Sequence, residues 1–283
     1  MNERRMEAME YRGIIHNHSA CSKEGCYALS VLRQRWAKSL DFAAMTEHAE
    51  RVSAEDYAGY VRECDALSDA HFRFIPGLEV ATESGDMLLL GCREYVCTRQ
   101  PLQLLQQIPQ QTVVILAHPE EGKVKAEVLA RAHGLEGWNG GHMGGWMPPV
   151  DWLRGWRTRS PAGTFFTGGN DIHKVDPKRK ILTLVETGAP AGTPCSEEDI
   201  LHALREGNFR TGNGIFSFSP DGTLYYRGRE MAWLPPFMLL ARAYRYSWRA
   251  LNGCFRFGGE MLGAIGLDKQ KRTRLNRMIR QHL

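Results

Sequence analysis

The sequence lacks the features that mark membrane proteins, disulfide-rich secreted proteins and zinc fingers. No run of apolar residues approaches the ~18 needed to span a bilayer. The charged beginning of the chain, MNERRMEAMEYRG, contains no apolar signal core. The seven cysteines are odd in number and scattered, and no two of them form a Cys-x-x-Cys pair, which is typical of reduced thiols. We therefore expect a cytoplasmic protein without a transmembrane segment.

The sequence also lacks internal repeats and low-complexity tracts, and its composition is that of a folded globular protein. Of its 283 residues, 43% are hydrophobic and 24% are charged, and the length suits a single α/β barrel. The net charge of +4 is uneven. Residues 224–283 contain twelve Lys/Arg and three Asp/Glu (net +9), against 24 and 29 in the rest (net −5). We predict a main domain over residues 1–223 and a basic, helical extension over residues 224–283.

Short apolar runs alternate with segments of helical periodicity. The predicted strands are 13–16, 42–48, 74–80, 85–95, 112–119, 134–140, 164–173 and 181–187, and the predicted helices are 29–40, 54–70, 123–133 and 196–208. Segment 85–95 is predicted to pair antiparallel with 74–80 across a Ser-Gly-Asp turn. Residues 137–163, rich in Gly, Pro and Trp, are predicted to form a long loop. The alternation predicts a mostly parallel sheet, either open or closed into a barrel.

Polar side chains that can bind metal ions lie at the ends of, or within, six of the predicted strands. They are His16, His18, Glu47, His48, Glu79, His118, Asn139, Asp171 and His173. In a barrel, the C-terminal ends of the strands form the active site, and histidine with carboxylates suits zinc, manganese or iron. Taken alone, each residue also has an interpretation that does not involve metal. His118 could be a turn residue, and Asp171 could cap the helix that follows it. The set as a whole predicts a metal site.

Six motifs, in the order HNHS, TEH, IPGLEV, AHP, LEGWN and GNDIH, resemble those of the PHP (polymerase and histidinol phosphatase) family of metal-dependent phosphoesterases. The resemblance runs from Arg12 to Gly214. It implies a distorted (β/α)7 barrel that holds two or three divalent metal ions, here manganese, zinc or iron, at the C-terminal ends of the strands. It also implies hydrolysis of a phosphate ester by a metal-activated water.

The resemblance implies nine metal ligands, which are His16, His18, Glu24, His48, Glu79, His118, Asn139, Asp171 and His173. Glu79 and Asp171 would set the spacing of the metals and are the candidate catalytic carboxylates. Glu79 would bridge the first and second metals. At the second metal, His142 competes with Asn139, because it lies three residues later in the same loop.

A third metal would be held by His48 and His173, which are also candidates for protonating the leaving group. Lys23 stands where the family commonly has Asp, so Glu24 is the candidate that completes this third site. Glu47 replaces the usual Asp of that motif and is expected to orient His48. The Lys23 departure leaves an alternative function open, in which a partly degenerate barrel acts as a binding or regulatory module through its basic C-terminal segment.

The substrate implied by the resemblance is a small phosphorylated molecule, a nucleotide or an oligonucleotide. Arg51 and Lys174 follow site histidines and are candidate phosphate-binding residues at the rim. Trp138 is a candidate for stacking on a base or sugar. The alternatives are solvated surface charges for the two basic residues and packing of the loop for the indole.

The basic extension combines apolar residues with arginines in segment 231–251 and ends in the basic stretch DKQKRTRLNRMIRQHL. Arg242, Arg245 and Arg249 are spaced for one helical face. Three interpretations stay open for residues 231–283: a helix docked on the barrel with a solvated basic face, a surface for a polyanion such as nucleic acid, or contact with an anionic membrane surface.

Overall fold

The protein has a mixed α/β fold with two β-sheets in a computed structural model that describes residues 9–143, 146–173, 180–190, 192–194, 196–231 and 243. The strands in chain order are β1 (Met9–Ile14), β2 (Phe42–Ala44), β3 (Glu47–His48), β4 (Arg73–Ile75), β5 (Gly77–Thr82), β6 (Gly85–Leu90), β7 (Val113–Leu116), β8 (Gly134–Asn139), β9 (Phe165–Gly169), β10 (Leu182–Thr187), β11 (Phe209–Gly212), β12 (Phe216–Phe218), β13 (Leu224–Tyr226) and β14 (Arg229–Glu230). The helices are α1 (Leu29–Trp36), α2 (Ala54–Ala66), α3 (Pro101–Gln107), α4 (Ala126–Leu129), α5 (Gly140–Met143), α6 (Val150–Arg157) and α7 (Glu197–Arg205). The alternation of strands and helices predicted from the sequence is confirmed, although the predicted loop 137–163 contains α5 and α6.

The described strands form two sheets, one of eight strands and one of six. The first has the order β14-β13-β12-β11-β10-β1-β2-β4, and the second has the order β3-β5-β6-β7-β8-β9. The prediction of a mostly parallel sheet is wrong for the described residues, because five strand pairs, such as β1 with β2 and β7 with β8, are parallel and seven are antiparallel. The antiparallel pairs include the predicted hairpin of β5 and β6. The hairpin turns at Gly85, whose φ of 98° suits a residue without a Cβ.

The predicted closed barrel is not observed as one continuous sheet among the described residues. Pairing is interrupted between β2 and β3, and again at Pro76 between β4 and β5, where proline supplies no backbone N–H. Backbone hydrogen bonds do join the segments that follow β1 and β9: Asp171 N donates to the His16 carbonyl at 2.7 Å, and His18 N donates to the Ile172 carbonyl at 3.2 Å. The two sheets therefore meet where the predicted site residues lie.

The structure also corrects the prediction that a helical extension begins at residue 224. Residues Leu224–Tyr226 and Arg229–Glu230 form strands β13 and β14, which extend the first sheet beyond β12. The antiparallel pairing of Tyr225 with Ser217 explains the difference, because it continues the sheet past the predicted boundary. The chain divides into two compact units, residues 1–232 and 233–283. Apart from residue 243, the second unit lies outside the described residues, and so do the predictions made for it.

The core consists of the inward faces of the strands and the apolar faces of the helices that pack on them. Helix α7 is an example: the Ser196 hydroxyl caps it by accepting a hydrogen bond from Asp199 N at 3.0 Å, as its Ser-x-x-Asp motif predicts. Its buried Ile200, Leu201 and Leu204 join the core cluster with residues of β6 and β7. Within the described part of the chain, no helix is long and apolar enough to cross a membrane.

Candidate metal centre

Four imidazoles from three strand ends converge on the carboxylate of Glu79. The Glu79 Oε2 atom lies 3.2 Å from His16 Nε2, 3.3 Å from His18 Nε2 and 3.5 Å from His48 Nδ1. Its other oxygen, Oε1, lies 3.4 Å from His118 Nε2. Glu79 is only 2% exposed. One buried carboxylate therefore faces histidines that follow β1, end β3 and follow β7.

A second carboxylate, Asp171, lies after β9 and faces overlapping partners. Its Oδ1 atom is 3.5 Å from His18 Nε2 and 3.1 Å from His173 Nδ1. Its Oδ2 atom is 3.2 Å from His142 Nε2. The two oxygens of Asp171 thus point to two different groups of histidines, which is an arrangement that suits a carboxylate shared between metal ions.

The backbone turns sharply at three of these site residues. His16, His118 and Asp171 have φ angles of 62°, 29° and 51°, in the region that favours glycine. Each such conformation costs about 1–3 kcal/mol, and it persists where the surrounding structure requires it. The strained residues follow β1, β7 and β9, so the strain lies at the turns that direct their side chains into the site.

Among the described residues, four groups of side chains have ligand atoms close enough to hold a metal ion. They are His18/His48/His173, His16/His18/Asp171, His16/Glu79/His118 and His118/His142/Asp171. His18 gives a test of fit: it is 2% exposed, and neither of its ring nitrogens makes a hydrogen bond of regular geometry to a described residue, although Nε2 lies 3.3 Å from Glu79 Oε2 and 3.5 Å from Asp171 Oδ1. A buried imidazole without hydrogen bonds is unfavourable, whereas imidazole nitrogens and carboxylates are the ligands of zinc, manganese and iron. The residues present therefore fit divalent metal ions.

The two site carboxylates, Glu79 and Asp171, are held in the ionised form that binds cations. Burial alone would raise the pKa of Glu79, but the neighbouring imidazoles of His16, His118 and His18 hold that pKa well below its ordinary value. The pKa of Asp171 is likewise depressed by its histidine neighbours despite burial. Burial lowers the pKa of His18, which favours the neutral form that binds metal. Ionised carboxylates next to a neutral imidazole attract a metal cation.

The structure places His142, not Asn139, next to a site carboxylate. The side-chain oxygen of Asn139 accepts a hydrogen bond from His142 N at 2.7 Å, and its Nδ2 donates to Glu136 Oε2 at 2.9 Å. Both ends of the Asn139 amide are therefore used within the protein. Asn139 as a ligand stays a prediction, and of the two alternatives His142 is the one whose side chain faces Asp171.

The structure does not bring Glu24 to the cluster, contrary to the prediction. Glu24 Oε1 lies 3.2 Å from Arg51 Nη2, and none of the four groups found among the described residues contains it. Lys23 is exposed in a left-handed conformation. Glu47 accepts hydrogen bonds from Ser19 N at 2.8 Å and Ser22 N at 3.1 Å, so it holds this loop instead of orienting His48. The pairing of Glu24 with Arg51 places both residues at the surface.

Trp138 is not available for stacking on a substrate. It is fully buried, and its ring centroid lies 6.4 Å from that of Phe218. The register of β8 with β9 shifts between Glu136 and Trp138, which breaks the regular alternation of side chains and separates their directions. Trp138 packs against the core, while Glu136 contacts the site. Lys174 lies outside the described residues.

The sequence analysis missed Glu136 and Asp86. Glu136 is fully buried and lies 2.7 Å from His16 Nδ1 through its Oε1 atom. Asp86 Oδ2 lies 3.9 Å from His118 Nε2, at the edge of the site. The sequence does hold a signal for Glu136, since a glutamate within an apolar strand requires buried donors.

No family model and no curated protein matches this sequence. Among solved structures, the fold is similar to that of a two-domain protein from Bacteroides vulgatus that contains a predicted PHP-like metal-dependent phosphoesterase, with a TM-score of 0.54 and 16% identity. The similarity covers 72% of this chain, and it spans 65% of the length of that chain. At this identity the similarity shows a shared fold alone, and that fold agrees with the resemblance seen in the motifs.

Proposed function

We propose that this protein is a metal-dependent phosphoesterase that hydrolyses a phosphate ester on a distorted barrel of the PHP type. One observation carries the proposal: Glu79 and Asp171 each face histidines from different strand ends with both carboxylate oxygens. The fold similarity to a protein with a predicted PHP-like metal-dependent phosphoesterase supports it.

Two or three divalent ions of manganese, zinc or iron would be held by the four groups. The proposed ligands are His16, His18, His48, Glu79, His118, His142, Asp171 and His173. Metal ions bound there would supply Lewis acidity, which activates water for attack on phosphorus and stabilises the charge on the phosphate oxygens. Glu79 and Asp171 fix the spacing between groups, because each of them presents its two oxygens to different histidines.

The protein's own proton donor is proposed at the pair of His48 and His173. Their Nε2 atoms lie 3.2 Å apart, a distance at which one nitrogen can donate a hydrogen bond to the other when the pair does not bind metal. Burial lowers the pKa of His173, but Asp171 outweighs that effect and raises it. One of these imidazoles can therefore hold a proton for the leaving oxygen when it does not bind metal.

The proposed substrate class is a small phosphorylated molecule, a nucleotide or an oligonucleotide. Arg51 remains a proposed phosphate contact at the rim, since its side chain is 63% exposed and engages only Glu24 among the described residues. Lys174 remains a prediction from the sequence. Polyanion or membrane contact through residues 231–283 also stays a proposal.

The test of the proposed function is the substitution Asp171→Asn. We expect it to reduce the metal content by at least one equivalent per chain and to lower the hydrolysis rate by at least 100-fold, because Asp171 faces two groups. Metal content is measured by elemental mass spectrometry on protein purified without chelators, and hydrolysis with a chromogenic phosphodiester and phosphomonoester. The control is Asp221→Asn, in a turn where Asp221 contacts Ser219 and Thr223.

The alternative function, a binding or regulatory module on a partly degenerate barrel, gives a different result. A metal-free wild-type protein that takes up neither manganese nor zinc would favour the module. Retained turnover in the Asp171→Asn variant would contradict the proposed catalytic centre.

A further inference from the structure

Glu136 contacts several metal-site residues without belonging to any of the four groups. It lies in β8, is fully buried, and has hydrogen-bond partners on both carboxylate oxygens. Oε1 lies 2.7 Å from His16 Nδ1, and Oε2 lies 2.9 Å from His118 N and 2.9 Å from Asn139 Nδ2. These partners come from three different segments of the chain, so Glu136 is placed to fix their relative positions.

The direction of each hydrogen bond follows from donors whose identity is certain. His142 N is a backbone donor, so the Asn139 atom that it reaches is the oxygen Oδ1, and the amide nitrogen must face Glu136. His118 N is also a backbone donor. Oε2 of Glu136 therefore accepts two hydrogen bonds, and Oε1 faces His16 Nδ1. Because a carboxyl group is a stronger acid than an imidazolium, Glu136 is the ionised partner of this pair.

The same carboxylate determines which ring nitrogen of His16 carries a hydrogen. An ionised carboxylate can only accept hydrogen bonds, so His16 Nδ1 must carry the hydrogen. The Nε2 atom of His16 is then the one that faces Glu79 and Asp171, at 3.2 and 3.7 Å. A histidine whose Nδ1–H is held by a carboxylate presents Nε2 to a metal in a fixed orientation.

Glu136 also acts on the two other histidines through the backbone. Its bond to His118 N holds a residue whose φ of 29° is strained. Its bond to Asn139 orients the amide that in turn accepts from His142 N. By contrast, no hydrogen bond links Glu136 to His48 or His173 in the described part of the chain, so one group lies outside its reach.

We infer that Glu136 is a positioning residue that orders His16, His118 and His142 for metal binding, while the group of His18, His48 and His173 forms independently of it. The inference rests on the proposed function, since it assigns a role within the same metal centre. A purely structural role of Glu136 would weaken all the groups alike through unfolding. A positioning role weakens the groups selectively.

The test is the titration of the full-length, metal-free protein with cobalt(II), followed by visible absorption and competition with a chelator. In Glu136→Gln, the amide cannot accept hydrogen bonds from all three donors. We expect ions at the three groups that contain His16 or His118 to bind about 10–100-fold more weakly. The ion at the His48 group should keep its affinity within about threefold. His48→Ala should lose that ion alone, and the double variant should bind no ion tightly.

The control for burial is Glu47→Gln, since Glu47 is also a fully buried glutamate and accepts two backbone hydrogen bonds. It is expected to lower thermal stability but to leave cobalt affinity at the His16 and His118 groups within about threefold. Equal weakening of every ion in Glu136→Gln, or no weakening, overturns the inference.

Cobalt binding by the wild-type protein distinguishes failure of the proposed function from failure of this inference. If it binds no cobalt, the metal centre is wrong, and the geometry of Glu136 is then read by NMR on the metal-free protein. A downfield, exchange-protected proton on His16 Nδ1 that shifts in Glu136→Gln would support the positioning role, and its absence in the wild type would contradict it. If the wild type binds cobalt and Glu136→Gln binds it equally well, the inference alone fails.

Discussion

The side chains of the site stabilise one another in pairs of opposite charge. Glu79 and Glu136 are buried carboxylates whose pKa is held below the ordinary value by histidines, in spite of burial. The pKa of His16 is raised in return, because Glu136, Glu79 and Asp171 together outweigh its burial. Removing one partner leaves an uncompensated buried charge, which is strongly destabilising. Variants of these residues should therefore be judged by metal affinity in protein shown to be folded.

Trp138 allows a prediction that separates core packing from substrate binding. We expect Trp138→Ala to lower the free energy of unfolding by about 3–5 kcal/mol, because it removes a fully buried indole. The KM of the folded fraction should not change, since the side chain does not face the site. Urea denaturation and substrate saturation curves measure the two effects. Trp146→Ala is the control: Trp146 is 39% exposed, so we expect a stability loss below about 1 kcal/mol. A raised KM with unchanged stability in Trp138→Ala would restore the stacking role.

At the scale of elements, the site depends on how closely neighbouring strands approach. Strand β9 pairs parallel to β8, with Asn139 opposite Gly169. A Cβ atom at Gly169 would overlap Glu136 Oε1 and approach His16 Cβ to 2.8 Å. Glycine at the end of β9 therefore leaves the space that the Glu136–His16 pair occupies.

This close approach predicts that Gly169→Ala disrupts the metal centre. The added methyl group must displace Glu136 or His16, and we expect metal affinity to fall at least 10-fold with a loss of thermal stability. Gly188→Ala is the matched control, because no atom lies within 4 Å of a Cβ built there, and it should change neither quantity measurably. Chelator competition and thermal melting measure both variants. Unchanged affinity in Gly169→Ala would show that the pair can move without loss.

At the scale of the whole molecule, the metal centre joins segments of both sheets. His16 and His18 follow β1 of the first sheet, whereas His48, Glu79, His118 and Asp171 belong to or follow strands of the second. Ions bound across these segments stabilise the folded state relative to the unfolded chain by mass action. Metal removal is therefore expected to affect the stability of the main domain as a whole.

We predict that removal of metal with a chelator lowers the melting temperature and that the loss grows as pH rises. The pKa of His16 is raised in the metal-free protein, so protonated His16 contributes stability below its ordinary pKa of 6.5 and loses it as pH rises through the raised value. Metal binding requires neutral imidazoles and becomes stronger over the same range. Thermal melting of metal-free and zinc-loaded protein between pH 5.5 and 8.5 tests this. A metal-dependent shift that shrinks with rising pH would contradict it.

The sequence by itself determined which segments contain strands and which residues beside them can bind metal, although the strand ends differ from the predicted ones by several residues. Apolar runs indicate the strands. In the second sheet β3, β5, β7, β8 and β9 run in the same direction, so polar residues at their C-terminal ends gather at one edge. The placement of His16, His18, His48, Glu79, His118, Asp171 and His173 in one cluster was predictable for this reason. Those residues depend on local pattern and on the direction of the strands.

Only the tertiary structure decided the contacts that depend on register, turns and distant partners. The register shift in β8 separates Glu136 from Trp138, and the cap of α5 uses Asn139 and brings His142 to Asp171. The pairing of Glu24 with Arg51 joins residues 27 positions apart at the surface. Apart from the local cap of α5, these contacts do not follow from a local pattern, because each one depends on where a second segment lies in space.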